Sequence, residues 1–175
     1  MDLMAHFSEI KTDNNEVIRT VVINNDDISS FGENSVEAEN WVQANIPNDP
    51  LLLIDFGNNY PSTYWKRTSY NTVDGEHKNG GTPFRGNYAG PGFTYDSSND
   101  EFLPAQPYAS YVYNYTTHLW EAPTALPSEY IYETKTVIPQ WNEPTLEWYG
   151  FTKIASESET SIEVKWDGAS WTLRT

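Results

Sequence analysis

Cysteine is absent from this chain of 175 residues, which removes disulfides, thiolate metal sites and a cysteine nucleophile. Basic residues are scarce. Ten Lys and Arg stand against 25 Asp and Glu, a formal net charge of −15. A nucleic-acid backbone is bound by cations that displace its counterions, so no nucleic-acid partner is expected. No apolar run approaches the roughly 18 residues of a membrane helix. Leu51-Leu52-Leu53-Ile54 fits a short buried strand instead, and no membrane partner is expected. Met1 to Ile10 has no basic region followed by an apolar stretch, so no signal peptide is expected there. His6, His77 and His118 are dispersed, without an i, i+4 pair or an acid at metal-ligand spacing, so no metal site is expected. There is no G-x-S-x-G elbow. Lys78-Asn79-Gly80-Gly81-Thr82 lacks the spacing of a phosphate loop and precedes no helix. Asp13 to Glu16 lacks the EF-hand pattern and reads as a turn. The residues predict neither a cofactor nor an enzyme.

What the chain has is aromatic rings, 15% of its residues, including 12 Tyr and 7 Trp. They recur with a rule. Tyr95-Asp96 is followed by Phe102, Tyr113-Asn114 by Trp120, and Trp141-Asn142 by Trp148. In each, the second ring lies seven residues after the first, with Asp or Asn directly behind the first. Trp166-Asp167 followed by Trp171 is a shorter copy, with Asp167-Gly168 read as the kind of turn that two-residue hairpins prefer. Asp and Asn start turns by bonding their own backbone, and rings pair well across strands. The pattern predicts an all-β protein of successive antiparallel β-hairpins, sandwich- or meander-like, with Tyr95, Phe102, Tyr113, Trp120, Trp141 and Trp148 as core pairs.

Residues 3–10 and 16–24 read as a first hairpin around the turn Thr12 to Asn15, its second arm a β-branched run from Val17 to Ile23. Met4, His6, Ser8 and Ile10 alternate imperfectly with Ala5, Phe7 and Glu9. The expected helix is single and short, capped by Ser35 and running to Ile46, with Glu37 and Glu39 at its positive end. Leu51–Phe56 and Tyr64–Tyr70 read as strands, and Asn71–Gly92 as a Gly-rich loop. Residues 1–150 form the expected β-rich core and 151–175 a C-terminal hairpin extension. Charge is uneven: residues 1–60 carry a net −9, 61–95 a net +2 and 96–175 a net −8. A solvated acidic surface accounts for this, and docking of the centre against an acidic neighbour is the sharper alternative.

Asp96, Asp100, Glu101, Glu143 and Glu147 flank the aromatic hairpins, and glycosidases use two carboxyls beside stacking rings. No pair stands out among so many acids. Trp65, Tyr70, Tyr88 and Trp120 are candidate sugar-stacking rings, with burial in the core as the competing reading.

Trp65-Lys66-Arg67-Thr68-Ser69-Tyr70-Asn71-Thr72, then His77 to Gly90, then Gly92-Phe93-Thr94-Tyr95-Asp96 resemble a family of small proteins encoded by marine tailed phages, notably those of cyanobacteria. The opening Met4-Ala5-His6-Phe7 with Val21 to Asn25 is similar too. The likeness continues through Phe102-Leu103-Pro104, Pro107-Tyr108, Leu119 to Pro123 and the Trp141-Asn142 hairpin, covering roughly residues 4–150. The chain departs from the family in extra residues from Asn45 to Tyr64 and in its extension beyond Gly150. The resemblance implies a structural virion protein, either a capsid decoration or a tail- or fibre-associated component, localised to the virion. It carries over no catalytic residue. The implied partners are other virion proteins and copies of the chain itself, with a host-surface glycan as the alternative. Residues 71–92 and 151–175 are expected to contact neighbours, being poorly self-supported, with Arg67, Lys78, Phe84, Arg85, Tyr88, Trp166 and Trp171 as the interface candidates.

Overall fold

The computed structural model of the chain describes residues 4–28, 36–49, 51, 56, 59–156 and 159–174. The expected cap Ser35 and most of the expected strand Leu51–Phe56 lie outside the described residues. The described chain is mostly β, built from antiparallel hairpins. It divides into two compact units, Met1–Ala105 with Tyr115–Leu119, and Gln106–Asn114 with Trp120–Thr175. Residue 150, the boundary expected from sequence, falls within a strand of the second unit, Glu147–Thr152.

The first unit is organised by a three-stranded sheet ordered β2-β1-β3, from β1 (Met4–Lys11), β2 (Val17–Asn24) and β3 (Thr63–Thr68). β1 is central, and both its faces are covered, which is why its alternation reads imperfectly in sequence. Ala5 and Phe7 face a cluster with Ile23, Ile28, Ala38, Val42 and Trp65. Ile10 faces a second cluster with Val17, Ala89, Tyr95 and Phe102. A bulge between Glu9 and Ile10 shifts the β1–β2 register. The first cluster is closed by two helices. α1 (Asn25–Ile28) is one turn, started by Asn24 Oδ1 accepting from Asp26 N–H, and it buries Ile28. α2 (Val36–Asn45) buries Ala38, Glu39 and Val42. The single helix expected from sequence is α2, and α1 is an addition too short for periodicity to reveal.

The second cluster is covered by the segment read as loop. It contains a hairpin of β4 (Thr72–Val73) and β5 (Glu76–His77), closed by Asp74-Gly75 with φ of 49° and 73°. This, and not Asp167-Gly168, is the two-residue Asp-Gly turn of the chain. The Asp167 turn spans four residues, Asp167 to Ser170, with Asp167 Oδ1 accepting from Ala169 N–H and Ser170 N–H. β6 (Thr94–Asp96) and β7 (Glu101–Leu103) follow as the next hairpin.

The second unit holds a five-stranded sheet ordered β10-β11-β12-β13-β14, from β10 (Ile131–Tyr132), β11 (Lys135–Asn142), β12 (Glu147–Thr152), β13 (Glu163–Trp166) and β14 (Trp171–Leu173). Residues 151–174 therefore supply part of β12 and all of β13 and β14. Trp171 Nε1 donates to Glu129 O at 2.6 Å, fastening the last strand beside the start of the first. Val137, Trp141, Trp148, Val164 and Trp171 form the core. Pro139 sits in β11 where the short β10 leaves that side unpaired, so its missing N–H is not needed. β8 (Val112–Asn114) and β9 (Leu119–Glu121) pair as a separate hairpin.

The aromatic steps of the sequence are ring pairs across hairpins. Ring centroids are 5.1 Å apart for Tyr95–Phe102, 5.3 Å for Tyr113–Trp120, 5.2 Å for Trp141–Trp148 and 5.5 Å for Trp166–Trp171. All are tilted or edge-to-face, the arrangement the ring quadrupole favours by about 0.5–1.5 kcal/mol beyond burial. Three of the hairpins also share a backbone device. Asp100, His118 and Leu146 each lie five residues after the first ring, and each has a left-handed φ of 52° to 55°. The repeat is thus conformational as well as chemical.

Candidate functional site

The charged groups of the first unit converge on two buried carboxylates. Glu9 on β1 is 1% exposed. Its Oε2 accepts from Arg19 Nε at 2.5 Å and from the Tyr60 hydroxyl at 2.9 Å, and its Oε1 accepts from Thr63 Oγ1 at 2.7 Å. Arg19 also donates to Pro47 O and lies over the Trp65 ring. Burial, reinforced by the bond to Glu9, pushes the Tyr60 phenol up to about 12. Glu39 on α2 reaches the edge of β3. Its Oε1 accepts from Arg67 N–H at 3.1 Å and Arg85 Nη1 at 2.8 Å, and its Oε2 accepts from Lys66 Nζ at 2.8 Å. A buried charge that is paired and fully hydrogen-bonded is architectural, because breaking it leaves an uncompensated ion.

Arg85 extends this network. Its Nη1 also donates to Arg67 O, and its Nε lies 2.7 Å from Asp100 Oδ1, an ion pair rather than an aligned hydrogen bond. Asp100 in turn accepts from the Tyr95 hydroxyl, which burial and that bond hold well above the ordinary phenol range. The rest of the segment is tied by buried polar groups. Ala89 N–H donates to Thr68 Oγ1, Phe84 N–H to Thr72 Oγ1, and Asp74 N–H to Asn87 Oδ1, while Asn87 Nδ2 donates to Phe102 O. The Gly-rich stretch expected to be poorly self-supported is closely hydrogen-bonded within its own unit. A further pair joins it: His118 Nδ1 lies 2.5 Å from Oε1 of the buried Glu101. Gly75 and Gly86 floor this pair, and Gly75 N–H bonds Gly86 O. A Cβ on Gly75 would overlap the His118 ring, and one on Gly86 would overlap the Glu101 carboxylate.

The interface candidates fall into three kinds. Arg85, with its side chain 10% exposed and its charge engaged by Glu39 and Asp100, is a structural cation. Trp171 is 5% exposed and belongs to the core of the second unit, and Trp166 packs against that core half-buried. For Arg85 and Trp171 the interface reading is corrected: neither offers surface to a neighbour. Arg67 and Phe84 are half-buried, and the guanidinium groups of Arg67 and Arg85 lie 5.6 and 4.9 Å from the Phe84 ring centre. Lys78 reaches the surface, and Tyr88 is half-buried. Lys78 Nζ lies 4.5 Å from the Tyr70 ring centre, and Tyr70, Tyr88 and His6 form a three-ring cluster.

The sugar-stacking candidates do not form a flat platform. Trp65 is 4% exposed and Trp120 half-buried, while Tyr70, 56% exposed, stands edge-on to Tyr88 at 78°. Of the carboxylates flanking the hairpins, Asp96, Asp100, Glu101 and Glu143 have polar partners of their own. Asp96 accepts from Tyr115, Asn99 and Ser98, which hold it below the ordinary carboxylate range. Glu143 accepts from Ser110 and from Trp141 Nε1, with the same effect. Among the described residues, no group of three or more His, Asp and Glu is placed to hold a metal ion.

Two features of the surface were not legible in sequence. A half-open groove of about 380 Å³ runs between α2 and β3, lined by Asn40 and Gln43 on one side and Thr63 to Lys66 on the other. On the second unit, Ile138 and Phe151 are register partners on β11 and β12, and both are exposed. No family model matches the sequence, and no curated protein or solved structure matches it significantly.

Proposed function

We propose that the chain is a structural component of a tailed-phage virion, a capsid decoration or a tail- or fibre-associated protein that works through protein–protein contacts. The observation that carries this reading is how the chemistry is distributed. Acid–base groups of the segment resembling marine phage proteins are engaged internally: Glu39 with Lys66 and Arg85, and Glu101 with His118. Beside exposed polar residues such as Thr136, Gln140 and Lys165, the strands also present apolar side chains at the surface: Val22 on β2, and the register partners Ile138 on β11 and Phe151 on β12. Adjacent exposed apolar side chains on a sheet are the ordinary chemistry of a protein contact. The resemblance of Trp65 to Asp96 supplies the particle.

Quantitative mass spectrometry of purified phage particles tests this, read as copies of the chain per major capsid protein. A high ratio supports decoration of the capsid lattice, and a small fixed copy number supports a tail or fibre position. Absence from the particle overturns the reading.

A further inference from the structure

We propose that the groove between α2 and β3 binds an extended segment of a partner protein, which adds to the open edge of β3 as a further strand. β3 is an edge strand of its sheet. Successive peptide groups of a strand point alternately toward and away from its neighbour. Arg67 marks the outward parity, since its N–H meets Glu39 Oε1 and its C=O meets Arg85 Nη1. Those two side chains cap that end of the edge. Trp65 and Thr63 share the parity of Arg67, so their N–H and C=O groups also point away from β1. Among the described residues no backbone or side-chain group bonds them there.

The groove runs along this uncapped stretch, and its volume of about 380 Å³ lies within the roughly 300–1,000 Å³ of ligand sites. The opposite wall presents Asn40 and Gln43, one helical turn apart and both exposed. No hydrogen bond among the described residues engages either amide. A side-chain amide both donates and accepts, which matches the far edge of an added strand as β3 matches its near edge. The occupant must therefore bring unsatisfied peptide groups on two sides. An extended peptide does so, whereas a helix has already satisfied its own. Charge narrows the choice. Glu39 is already matched by Lys66 and Arg85. α2 has no basic residue and carries Glu37 in its first turn, on a chain of net charge −15. A neutral or basic segment of a different protein fits, and a second copy of this acidic chain is repelled. The groove can take such a segment whether or not the partner belongs to a virion, so this inference and the virion reading fail separately.

The test is selection from a ribosome-displayed random peptide library on the full-length protein, followed by synthesis of the enriched peptides. Neutral or basic peptides are expected. Binding should weaken about tenfold or more in Asn40→Trp, whose indole fills the groove, with thermal unfolding unchanged. Gln43→Trp serves as the second variant should Asn40→Trp fold poorly. In the bound wild type, the Thr63 and Trp65 amides should gain protection from hydrogen exchange. Absence of enrichment, enriched peptides that are acidic, or peptides that bind both variants as well as the wild type overturn the proposal.

Discussion

The first unit buries Ser8, Glu9, Glu39, Thr68, Thr72, Asn87 and Glu101, whereas among the described polar residues of the second unit only Thr152 is buried. The second instead concentrates Trp141, Trp148 and Trp171 with Val137 and Val164. The contrast follows from how each chain segment is arranged. In the second unit neighbouring strands pair in sequence order, so rings brought together by short turns make the core. In the first, α2 and the long segment from Asn71 to Ala105 cover the two faces of one small sheet. Irregular backbone laid on a sheet carries polar groups into the interior, and each needs a partner there. Apolar packing is tolerant of approximate fit, while a buried polar network is stable only when it is complete. The first unit should therefore respond to changes in protonation and in single polar atoms, and the second to changes in volume.

The largest effects should come from striking each unit at its own kind of core. Trp141→Ala removes a central ring of the second unit, with an expected loss of about 3–5 kcal/mol. Glu9→Ala removes the buried carboxylate shared by Arg19, Tyr60 and Thr63 in the first and leaves Arg19 with the longer ion pair to Asp49, with a comparable loss of roughly 3–5 kcal/mol. Urea unfolding followed by tryptophan fluorescence measures both. The comparison breaks if Glu9→Ala is as mild as a surface substitution. Next in size, Gly75→Ala combines a left-handed backbone with displacement of His118 and should cost about 1–3 kcal/mol. Hydrogen exchange should show the loss concentrated around Glu101, and a uniform loss would contradict the account.

Alkaline pH should separate the units more gently, because all but Tyr95 of the phenols involved are only partly removed from solvent. The Tyr60 phenol is raised from 10.0 to about 12, and Tyr64, Tyr88, Tyr95 and Tyr115 of the same unit are raised as well. In the second unit Tyr111 is raised. A raised acid stabilises the fold below its unfolded value, and that contribution is lost as pH climbs toward the folded value. For Tyr60 the window is pH 10 to about 12. Tyrosinate absorbance followed beside amide exchange should show the first unit opening earlier, and Tyr60→Phe should delay that opening. Simultaneous opening of both units would remove the distinction. The smallest effect concerns the shared turn. Leu146 holds a φ of 54° with an exposed side chain, so Leu146→Gly should relieve strain and stabilise by about 1 kcal/mol. The same change at Asp100 should destabilise, because its carboxylate holds Tyr95 and Arg85.

The aromatic hairpins were legible because their determinants are local. Ring, turn residue and ring lie within eight residues, and the turn brings the rings together whatever surrounds them. The first hairpin, β3 and the body of α2 were legible for the same reason, through β-branched runs and first-turn acids. The polar centres were not. Glu39 reads in sequence as a helix-dipole residue, yet it meets Arg85 across 46 positions. Glu9 reads as one member of an imperfect alternation, yet it meets Tyr60 across 51. Lys78 and Arg85 were both expected at an interface as cations of the central segment, yet Lys78 is exposed while Arg85 is turned inward onto Glu39 and Asp100. Residue type alone does not distinguish a cation offered to a partner from one matched inside.

By itself the sequence determined the class of object: an acidic, cysteine-free, all-β chain of ring-stapled hairpins, because hydrophobic period, turn chemistry and charge balance are properties of neighbouring residues. Only the tertiary structure decided which charges are buried, where Asn71 to Gly92 is anchored, that residues 151–174 complete a sheet, and that β3 ends its sheet beside α2 among the described residues. Those depend on contacts between residues far apart in the chain, whose partners are set by the packing of whole elements and leave no mark on local spacing.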